Sequence, residues 1–187
     1  MGGHDALARN IMVSSEVAKD LMDETFKRYP RIKEWQQETI EFAREHGYTQ
    51  TAYGNRRHLG IGLFSDDHEI SSRLERQGVN AVIQGTAADI LKYCLSEAHR
   101  RGLFTSTGAS MIAPIYDEFV ATVPRAAVVD YCFGLKEIME VTPPNHAVPM
   151  LAEFSLSANS WGEVVEIGSE ITPDLILSTL EGSSEAA

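Results

Sequence analysis

The sequence predicts an α+β protein in which helices pack against an antiparallel β-hairpin. Two observations predict helices: apolar residues recur at helical spacing on either side of Tyr29-Pro30, and again over a long stretch at residues 70–101. A third observation predicts the hairpin. β-Prone apolar residues run up to, and away from, two adjacent carboxylates at Asp117 and Glu118.

The first two predicted helices form an αα-hairpin. Ser14 or Ser15 can cap a helix that starts near Glu16, because a side-chain oxygen accepts hydrogen bonds at the positive helix N-terminus. That helix ends at Tyr29-Pro30, since the residue before proline avoids helical geometry. A second helix opens at once and stops at Gly47. The stretch before the first helix is poorly patterned.

A basic triplet follows a predicted turn. Residues 48–53 can be extended, Gly54-Asn55 predicts a turn, and Arg56-Arg57-His58 comes directly after it. Without further context, the triplet is typical of a solvated basic loop. An acidic cluster at residues 66–69 predicts a solvated turn or a helix start, because four consecutive residues cannot all face one metal ion.

The longest helical pattern, residues 70–101, carries a row of polar side chains. Arg76, Asn80 and Gln84 are spaced four apart, so they lie along one side of the helix. Such a row can present donors and acceptors to an elongated ligand, or it can be an ordinary exposed polar stripe. Gly102 ends the helix, and residues 105–110 predict a polar loop.

The predicted hairpin is centred on Ile115-Tyr116-Asp117-Glu118. A hairpin tip holds carboxylates stiffly, and Mg²⁺ favours one or two carboxylates together with substrate phosphates. The alternative is an acidic turn between two strands, because Asp is common in turns. Pro114 removes one hydrogen-bond donor from the first strand, so that strand is either at an edge or bulged.

The C-terminal part combines helix, strand and an acidic end. A helix is predicted over residues 126–139, closed by Thr142-Pro143-Pro144, and a strand over residues 150–157. Residues 175–180 predict a short helix, and we expect the final residues to be disordered. As a hypothesis, the helix over residues 175–180 docks on a partner chain.

Composition indicates a cytosolic globular protein. The chain has 187 residues, of which 43% are hydrophobic, and no apolar run approaches the roughly 20 residues that span a bilayer. Its start lacks the pattern of a signal peptide. Cys94 and Cys132 sit in helical apolar patterns and predict buried reduced thiols. The net charge of -11 taken alone argues against nucleic acid, but the arginines are clustered and part of the acidity belongs to the C-terminal residues.

The segment before the predicted hairpin is the most specific part of the sequence. Residues 76–92 contain the run Asn-x-x-x-Gln-Gly-Thr-Ala-Ala-Asp, which resembles the helix preceding motif C in family A DNA polymerases, the bacterial DNA polymerase I group and its phage relatives. Ile115-Tyr116-Asp117-Glu118 then resembles motif C itself, usually Val-His-Asp-Glu. Residues similar to the segment after the nucleotide-binding fingers helix are Tyr29-Pro30, Trp35, Gly47-Tyr48, Thr51 and Gly54-Asn55-Arg56-Arg57. Residues 150–162 resemble the terminal strand of the family and its Trp.

The resemblance implies a polymerase palm-like antiparallel sheet with the motif C hairpin packed on helices, plus a helical fingers-side segment. It divides the chain into a fingers-side segment (residues 1–65), the C-terminal half of the palm (66–168) and an acidic, partly disordered tail (169–187). The implied activity is DNA-directed DNA polymerisation, with two Mg²⁺ ions stabilising the attacking and leaving oxygens.

The resemblance also implies roles for individual residues. Asp117 is expected to bind metal, and Glu118 to support the same site. Tyr116 stands where the family has a His that touches the primer end; a Tyr donates one hydrogen bond but cannot become cationic. The contacts expected to primer-template DNA come from Arg76, Asn80 and Gln84, the last two in the minor groove, and from Arg56 and Arg57 on backbone phosphates.

The family features that grip the nucleotide have no counterpart in this sequence. The second palm aspartate, in motif A, and the fingers helix that binds the incoming dNTP are both missing. We therefore expect either the small chain of a phage-type split polymerase, working with a larger chain in the bacterial cytoplasm, or a fragment of a longer polymerase. The alternative function is a non-catalytic DNA-binding or scaffold module derived from a polymerase palm.

Overall fold

The computed structural model describes residues 3–140 and 148–184, and these form helices and short antiparallel strand pairs. The predicted α+β class is confirmed. The helices are α1 (Gly3–Asn10), α2 (Ser15–Arg28), α3 (Pro30–His46), α4 (His68–Arg100), α5 (Leu103–Thr107), α6 (Val128–Met139) and α7 (Pro173–Ser184). The strands are β1 (Tyr48–Gln50), β2 (Arg56–His58), β3 (Ser110–Ile115), β4 (Glu118–Thr122), β5 (Phe154–Leu156) and β6 (Val165–Gly168).

The described strands pair as three separate antiparallel hairpins, β1–β2, β3–β4 and β5–β6, and not as one palm-like sheet. Each pair is consecutive along the chain, so a short connection is enough to close it. The strand predicted over residues 150–157 is limited to β5, and β6 has no counterpart in the prediction. The predicted helix stop at Thr142-Pro143-Pro144 lies outside the described residues.

The chain folds as two compact units. Unit 1 comprises the described residues of Met1–Gln50 and Arg56–Val82, and unit 2 those of Thr51–Asn55 and Ile83–Ala187. The boundary falls within α4. The predicted segment boundaries after residues 65 and 168 coincide with no boundary of these units, and as polymerase segments they stay predictions.

Unit 1 begins with three helices, and the ends of α2 and α3 follow the sequence signals. The backbone N–H of Val17 donates to the Ser14 hydroxyl at 3.2 Å, so Ser14 rather than Ser15 caps α2. Gly47 ends α3 in the left-handed conformation, with φ 77°. Helix α1 forms in the stretch that is poorly patterned. Ala43, Leu59 and Leu63 form a small core, with Leu74 of α4 packed against it.

The acidic cluster at residues 66–69 is a helix start, one of its two predicted forms. The Asp67 carboxylate accepts from the backbone N–H groups of Glu69 at 2.8 Å and Ile70 at 3.4 Å, at the beginning of α4. After α4, a short helix α5 replaces part of the predicted polar loop. It begins after Gly102, which has φ 71°.

Unit 2 holds the larger core. Its buried residues come from α4, α5, α6, β5, α7 and the segments just before β3, β5 and α7: Cys94, Ala98, Leu103, Ala109, Val128, Tyr131, Cys132, Leu135, Ile138, Ala152, Phe154, Ile171, Ile176 and Leu180. Both cysteines are free and buried, as predicted, and burial raises the pKa of the Cys132 thiol to about 11. Ile176 and Leu180 of α7 lie inside this core, so the apolar face of that helix is used within the chain.

Over residues 3–140 and 148–184, no helix is both long enough and apolar enough to cross a membrane.

Candidate metal and nucleic-acid sites

The β3–β4 hairpin places the predicted motif C residues at an exposed tip. Ile115 pairs with Glu118, so Tyr116 and Asp117 form a two-residue turn. Tyr116 has φ 55°, a conformation that costs a non-glycine residue energy, and the residue is 96% exposed. The strand that contains Pro114 has both features between which the sequence left the choice open: its register shifts between Met111 and Ala113, and in the two-stranded β3–β4 pair it is an edge strand.

The base of the hairpin is anchored, whereas its tip is free. Phe119, Ala121 and Val123 pack against the core of unit 2 from β4 and the residue just beyond it. Alternation along a strand puts these three on one face. The turn therefore projects from a strand that is packed against the core. The sequence predicts such rigid support for the carboxylates at the tip.

Asp117 and Glu118 are both exposed and uncommitted. In the part of the chain that the structure describes, neither carboxylate takes part in a hydrogen bond or an ion pair. Within those residues no three His, Cys, Asp or Glu side chains come together as a metal site. The donor set is right for a hard cation such as Mg²⁺, which takes carboxylate oxygens. It supplies one or two ligands and not a complete site.

The polar row predicted on the long helix lies on α4. Arg76, Asn80 and Gln84 are all exposed, at one-turn intervals along the helix. Arg76 and Asn80 belong to unit 1, and Gln84 belongs to unit 2 with the β3–β4 hairpin. The structure thus presents the row to solvent as predicted, and the role of these residues in binding DNA stays a prediction.

Arg56 and Arg57 lie on a strand, not in a loop. Strand β2 pairs with β1 so that Arg56 lies opposite Gln50, and Arg57 opposite Thr49. Successive strand residues point to opposite faces, so the two arginines point away from each other. The Arg56 guanidinium lies over the Tyr48 ring, 4.6 Å from its centroid. A common phosphate contact for the two side chains is therefore not built into this hairpin.

The Gln-Gly-Thr-Ala-Ala-Asp run has a structural function that the sequence did not reveal. The Thr51 hydroxyl donates to Asp89 at 2.7 Å, and Lys92 Nζ donates to the same carboxylate at 3.0 Å. The backbone N–H of Ala52 donates to the Thr86 hydroxyl at 3.1 Å. Two side chains of α4 therefore fasten the turn at residues 51–55 to the helix.

Asp89 is buried, with 6% of the residue exposed, yet it stays charged. Desolvation acts to raise the pKa of its carboxyl, but the hydrogen bonds from Asn55, Thr51 and Lys92 together lower that pKa below its ordinary value. A sequence signal for this network exists. Thr86 and Asp89 interrupt an otherwise apolar helix face, and a buried polar residue needs a partner.

Gly85 provides the space for this contact. A Cβ at this position would lie 2.7 Å from the Thr51 methyl carbon, closer than van der Waals contact allows. The glycine lets the turn approach the helix, while Thr86 and Asp89 hold it there. Within unit 2 the Gln-Gly-Thr-Ala-Ala-Asp run is thus a docking site for a turn of the chain itself.

Comparisons with known proteins agree with the resemblance. The family model for DNA polymerase family A matches residues 2–163. DNA polymerase I of Chloroflexus aurantiacus is 30% identical over 158 residues, covering 84% of this chain and 16% of the relative. DNA polymerase I of Streptococcus pneumoniae is 32% identical over 157 residues, covering 84% of this chain and 18% of the relative. The chain therefore belongs to DNA polymerase family A.

A solved structure matches the fold as well. The POL domain of Pol1 from M. smegmatis, in complex with DNA primer-template and dNTP, superposes with a TM-score of 0.67 and 28% sequence identity. The match covers 73% of this chain and 24% of that chain. The chain spans 16% and 18% of the two curated relatives, so it corresponds to a part of those polymerases.

Proposed function

We propose that the chain supplies the motif C carboxylate and part of the primer-template surface to a template-directed DNA polymerase. One observation carries the proposal: Asp117, in a chain of this family, is an exposed and uncommitted carboxylate in the turn of an anchored hairpin. Asp117 would bind Mg²⁺ with Glu118 beside it. Bound Mg²⁺ would stabilise the charge that develops on the phosphate oxygens during nucleotidyl transfer.

The remaining ligands come from polypeptide outside this sequence. The described residues bring no third His, Cys, Asp or Glu to the hairpin, and nucleotidyl transfer with two metal ions needs more than one carboxylate. We propose a larger chain that carries motif A and the dNTP-binding fingers helix. Whether that polypeptide is a separate chain or the rest of a longer one, Asp117 has the same role.

The proposed DNA contacts follow from exposure and chemistry. Asn80 and Gln84 can both donate and accept, and the minor groove offers acceptors at nearly the same places for every base pair. Arg76, Arg56 and Arg57 would contact the DNA backbone, and Tyr116 would reach the primer end from the tip of the hairpin. A polymerase of this kind would act on DNA in the cytoplasm.

Primer extension tests the proposal. The purified chain is mixed with the candidate larger chain, a labelled primer-template, dNTPs and Mg²⁺, and extension is measured for wild type and Asp117→Asn. We expect Asp117→Asn to lower the extension rate by about a hundredfold or more, because metal ligation contributes several kcal/mol of charge stabilisation. The matched control is Asp130→Asn, which changes an exposed aspartate of α6 and should leave the rate unchanged.

Two results would count against the proposal. Full activity of Asp117→Asn in an active mixture would show that another group binds the metal. DNA binding by the chain without extension in any mixture, and undisturbed by Asp117→Ala, would instead identify a non-catalytic DNA-binding or scaffold module.

A further inference from the structure

The β6–α7 segment (residues 165–184) lies beyond the part of the chain that the polymerase family model matches, which ends at residue 163. It folds onto that matched part. Strand β6 pairs antiparallel with β5, so that Val165 lies opposite Leu156. Helix α7 then packs against both α6 and β5. The segment is therefore an integral part of unit 2 that the family match does not cover.

The β3–β4 hairpin and the β6–α7 segment share one core. Three residues of β4 and just beyond it pack on this core: Phe119, Ala121 and Val123. Ile176 of α7 is fully buried in the same core, and Leu180 is 6% exposed. Among the described strands, β3 and β4 pair only with each other, and an isolated two-stranded hairpin is marginally stable at best. The position of the hairpin therefore depends on the core against which β4 packs.

One lysine of α6 fastens the β6–α7 segment to this core. Lys136 Nζ donates a hydrogen bond to the backbone carbonyl of Ser169, between β6 and α7, at 2.7 Å. The same ammonium forms an ion pair with Glu140, whose carboxylate accepts from the backbone N–H of Ala152 at 3.3 Å. The two charged side chains are 25% and 24% exposed, so water screens this pair less than a pair on the open surface. Lys136 thus joins the end of α6 to the segment and, through Glu140, to the chain just before β5.

We infer that the β6–α7 segment is a brace for the β3–β4 hairpin, and that Lys136 is the positioning residue that holds this brace in place. Metal ligation needs a carboxylate that is fixed to within a fraction of an ångström, since a shift of about 1 Å can cost about a hundredfold in rate. Packing by residues beyond the family match supplies that rigidity. The inference rests on the proposed function in taking Asp117 as the metal ligand, and adds a support for it that the family match does not contain.

Amide hydrogen exchange of the complete chain tests the brace without DNA or metal. Lys136→Met keeps the aliphatic stem but removes the ammonium and its hydrogen bonds. It should raise exchange in peptides covering residues 110–122, the β3–β4 hairpin, by about threefold or more, because the loss of a charged hydrogen bond favours local opening. Peptides covering α3 in unit 1 should not change, which distinguishes a loosened hairpin from a general loss of stability. Lys136→Arg keeps the charge and the donors, and should return exchange to within about twofold of wild type.

The matched control is Arg101→Met, which removes an ion pair between Arg101 and Glu137 of α6, at 2.8 Å, that does not involve the β6–α7 segment. It should leave hairpin exchange unchanged. Unchanged hairpin exchange in Lys136→Met, a rise that extends equally to α3, or an equal rise in Arg101→Met would overturn the inference. If Lys136→Met does not fold, Leu180→Val decides by the same criteria, because it loosens the brace from α7 by removing one methylene.

Primer extension tests whether the brace positions the metal ligand. In an active mixture with the larger chain, Lys136→Met should raise the Mg²⁺ concentration for half-maximal extension by about threefold or more, because a displaced carboxylate binds the ion less well. Affinity for primer-template without Mg²⁺ should stay within about twofold of wild type, since Lys136 is not among the proposed DNA contacts. An unchanged half-maximal Mg²⁺ concentration with a loosened hairpin would overturn Lys136 as a positioning residue.

Failure of the inference is distinguishable from failure of the proposed function. Extension that depends on Asp117, with hairpin exchange unchanged in Lys136→Met, would overturn the brace and leave the polymerase assignment standing. A loosened hairpin in Lys136→Met, with full activity of Asp117→Asn, would keep the brace as a support of the hairpin and overturn the metal-binding role of Asp117.

Discussion

Two aspartates of this chain show how surroundings decide the role of a residue. Asp89 is buried, and its carboxylate accepts hydrogen bonds from Thr51 and Lys92. Asp117 lies in a turn, exposed and without a partner among the described residues. Hydrogen bonds within the fold occupy the Asp89 carboxylate, whereas the Asp117 carboxylate is available to bind a cation. Tyr116, beside Asp117, holds a positive φ, and strain of this kind is found mostly at functional sites.

Asp89→Asn should lower the free energy of unfolding at neutral pH by about 1–3 kcal/mol, because it leaves a buried network with mismatched donors. The folded state lowers the pKa of this carboxyl, so its contribution is present above the unfolded-state pKa, near 3.9, and is lost as the pH falls through the lower folded-state pKa. The difference between wild type and variant should therefore shrink in acid. Urea denaturation at about pH 7 and about pH 3 measures it.

The control for Asp89 is Asp66→Asn, an exposed aspartate before α4, which should have a small effect at both pH values. An equal loss of stability in both variants, or a loss for Asp89→Asn that does not shrink in acid, would contradict the role assigned to the network. A Thr51→Val and Asp89→Asn double-mutant cycle would show whether the two residues are coupled.

At the scale of elements, helix α4 and the turn at residues 51–55 depend on each other. In one segment of α4, Gly85 leaves space for that turn, and Thr86 forms one hydrogen bond with it. Asp89 accepts a further hydrogen bond from the turn as part of an ionic network. The arrangement explains why a helix as long as α4 contains Gly85, which helix propensity alone disfavours. Part of the run that resembles the polymerase family therefore serves the packing of this helix against the turn.

Gly85→Ala should lower the free energy of unfolding by about 1 kcal/mol. Alanine is favoured over glycine in a helix by about 1 kcal/mol, but the new Cβ would lie 2.7 Å from the Thr51 methyl carbon, and overpacking costs about 1–3 kcal/mol. Gly182→Ala in α7 is the matched control, because nothing lies within 4 Å of its Cβ. Denaturant titration should show opposite signs for the two variants, and stabilisation by Gly85→Ala would refute the steric argument.

At the scale of the whole molecule, the C-terminal helix belongs to unit 2. Ile176 is fully buried and Leu180 is 6% exposed in the same core as Cys94 and Cys132. The sequence suggests that residues 175–180 dock on a partner chain. The structure uses the apolar face of α7 internally, and leaves Leu175 and Leu177 partly exposed on its other side.

Ile176→Ala should lower the free energy of unfolding by about 3 kcal/mol, because a buried large-to-small change removes transfer energy and leaves a cavity. Leu177→Ala, at a position 41% exposed, should change it by less than about 1 kcal/mol. Thermal or urea unfolding of the complete chain compares the two. Equal effects would mean that α7 is not part of the core.

The sequence by itself determined most of the local structure and the family. The extents of α2 and α3 follow from helical periodicity and from the signals at their ends: Ser14, Tyr29-Pro30 and Gly47. Such caps and breakers act within a few residues. The β-prone runs beside Asp117 define the hairpin for the same reason. The family was also predicted from short runs of residues, and the family match confirms it.

Only the tertiary structure decided which polar side chains have partners within the fold and which are available to a ligand. The partners of Asp89 lie 38 residues away at Thr51 and three away at Lys92, and spacing along one helix cannot reveal the first. The register of β1 and β2 separates Arg56 from Arg57, which look equivalent as neighbours in sequence. Pairing between distant segments is set by packing and by the need to satisfy buried polar groups. Packing and hydrogen bonding leave Asp117 exposed at the tip of a hairpin whose strand β4 packs against the core.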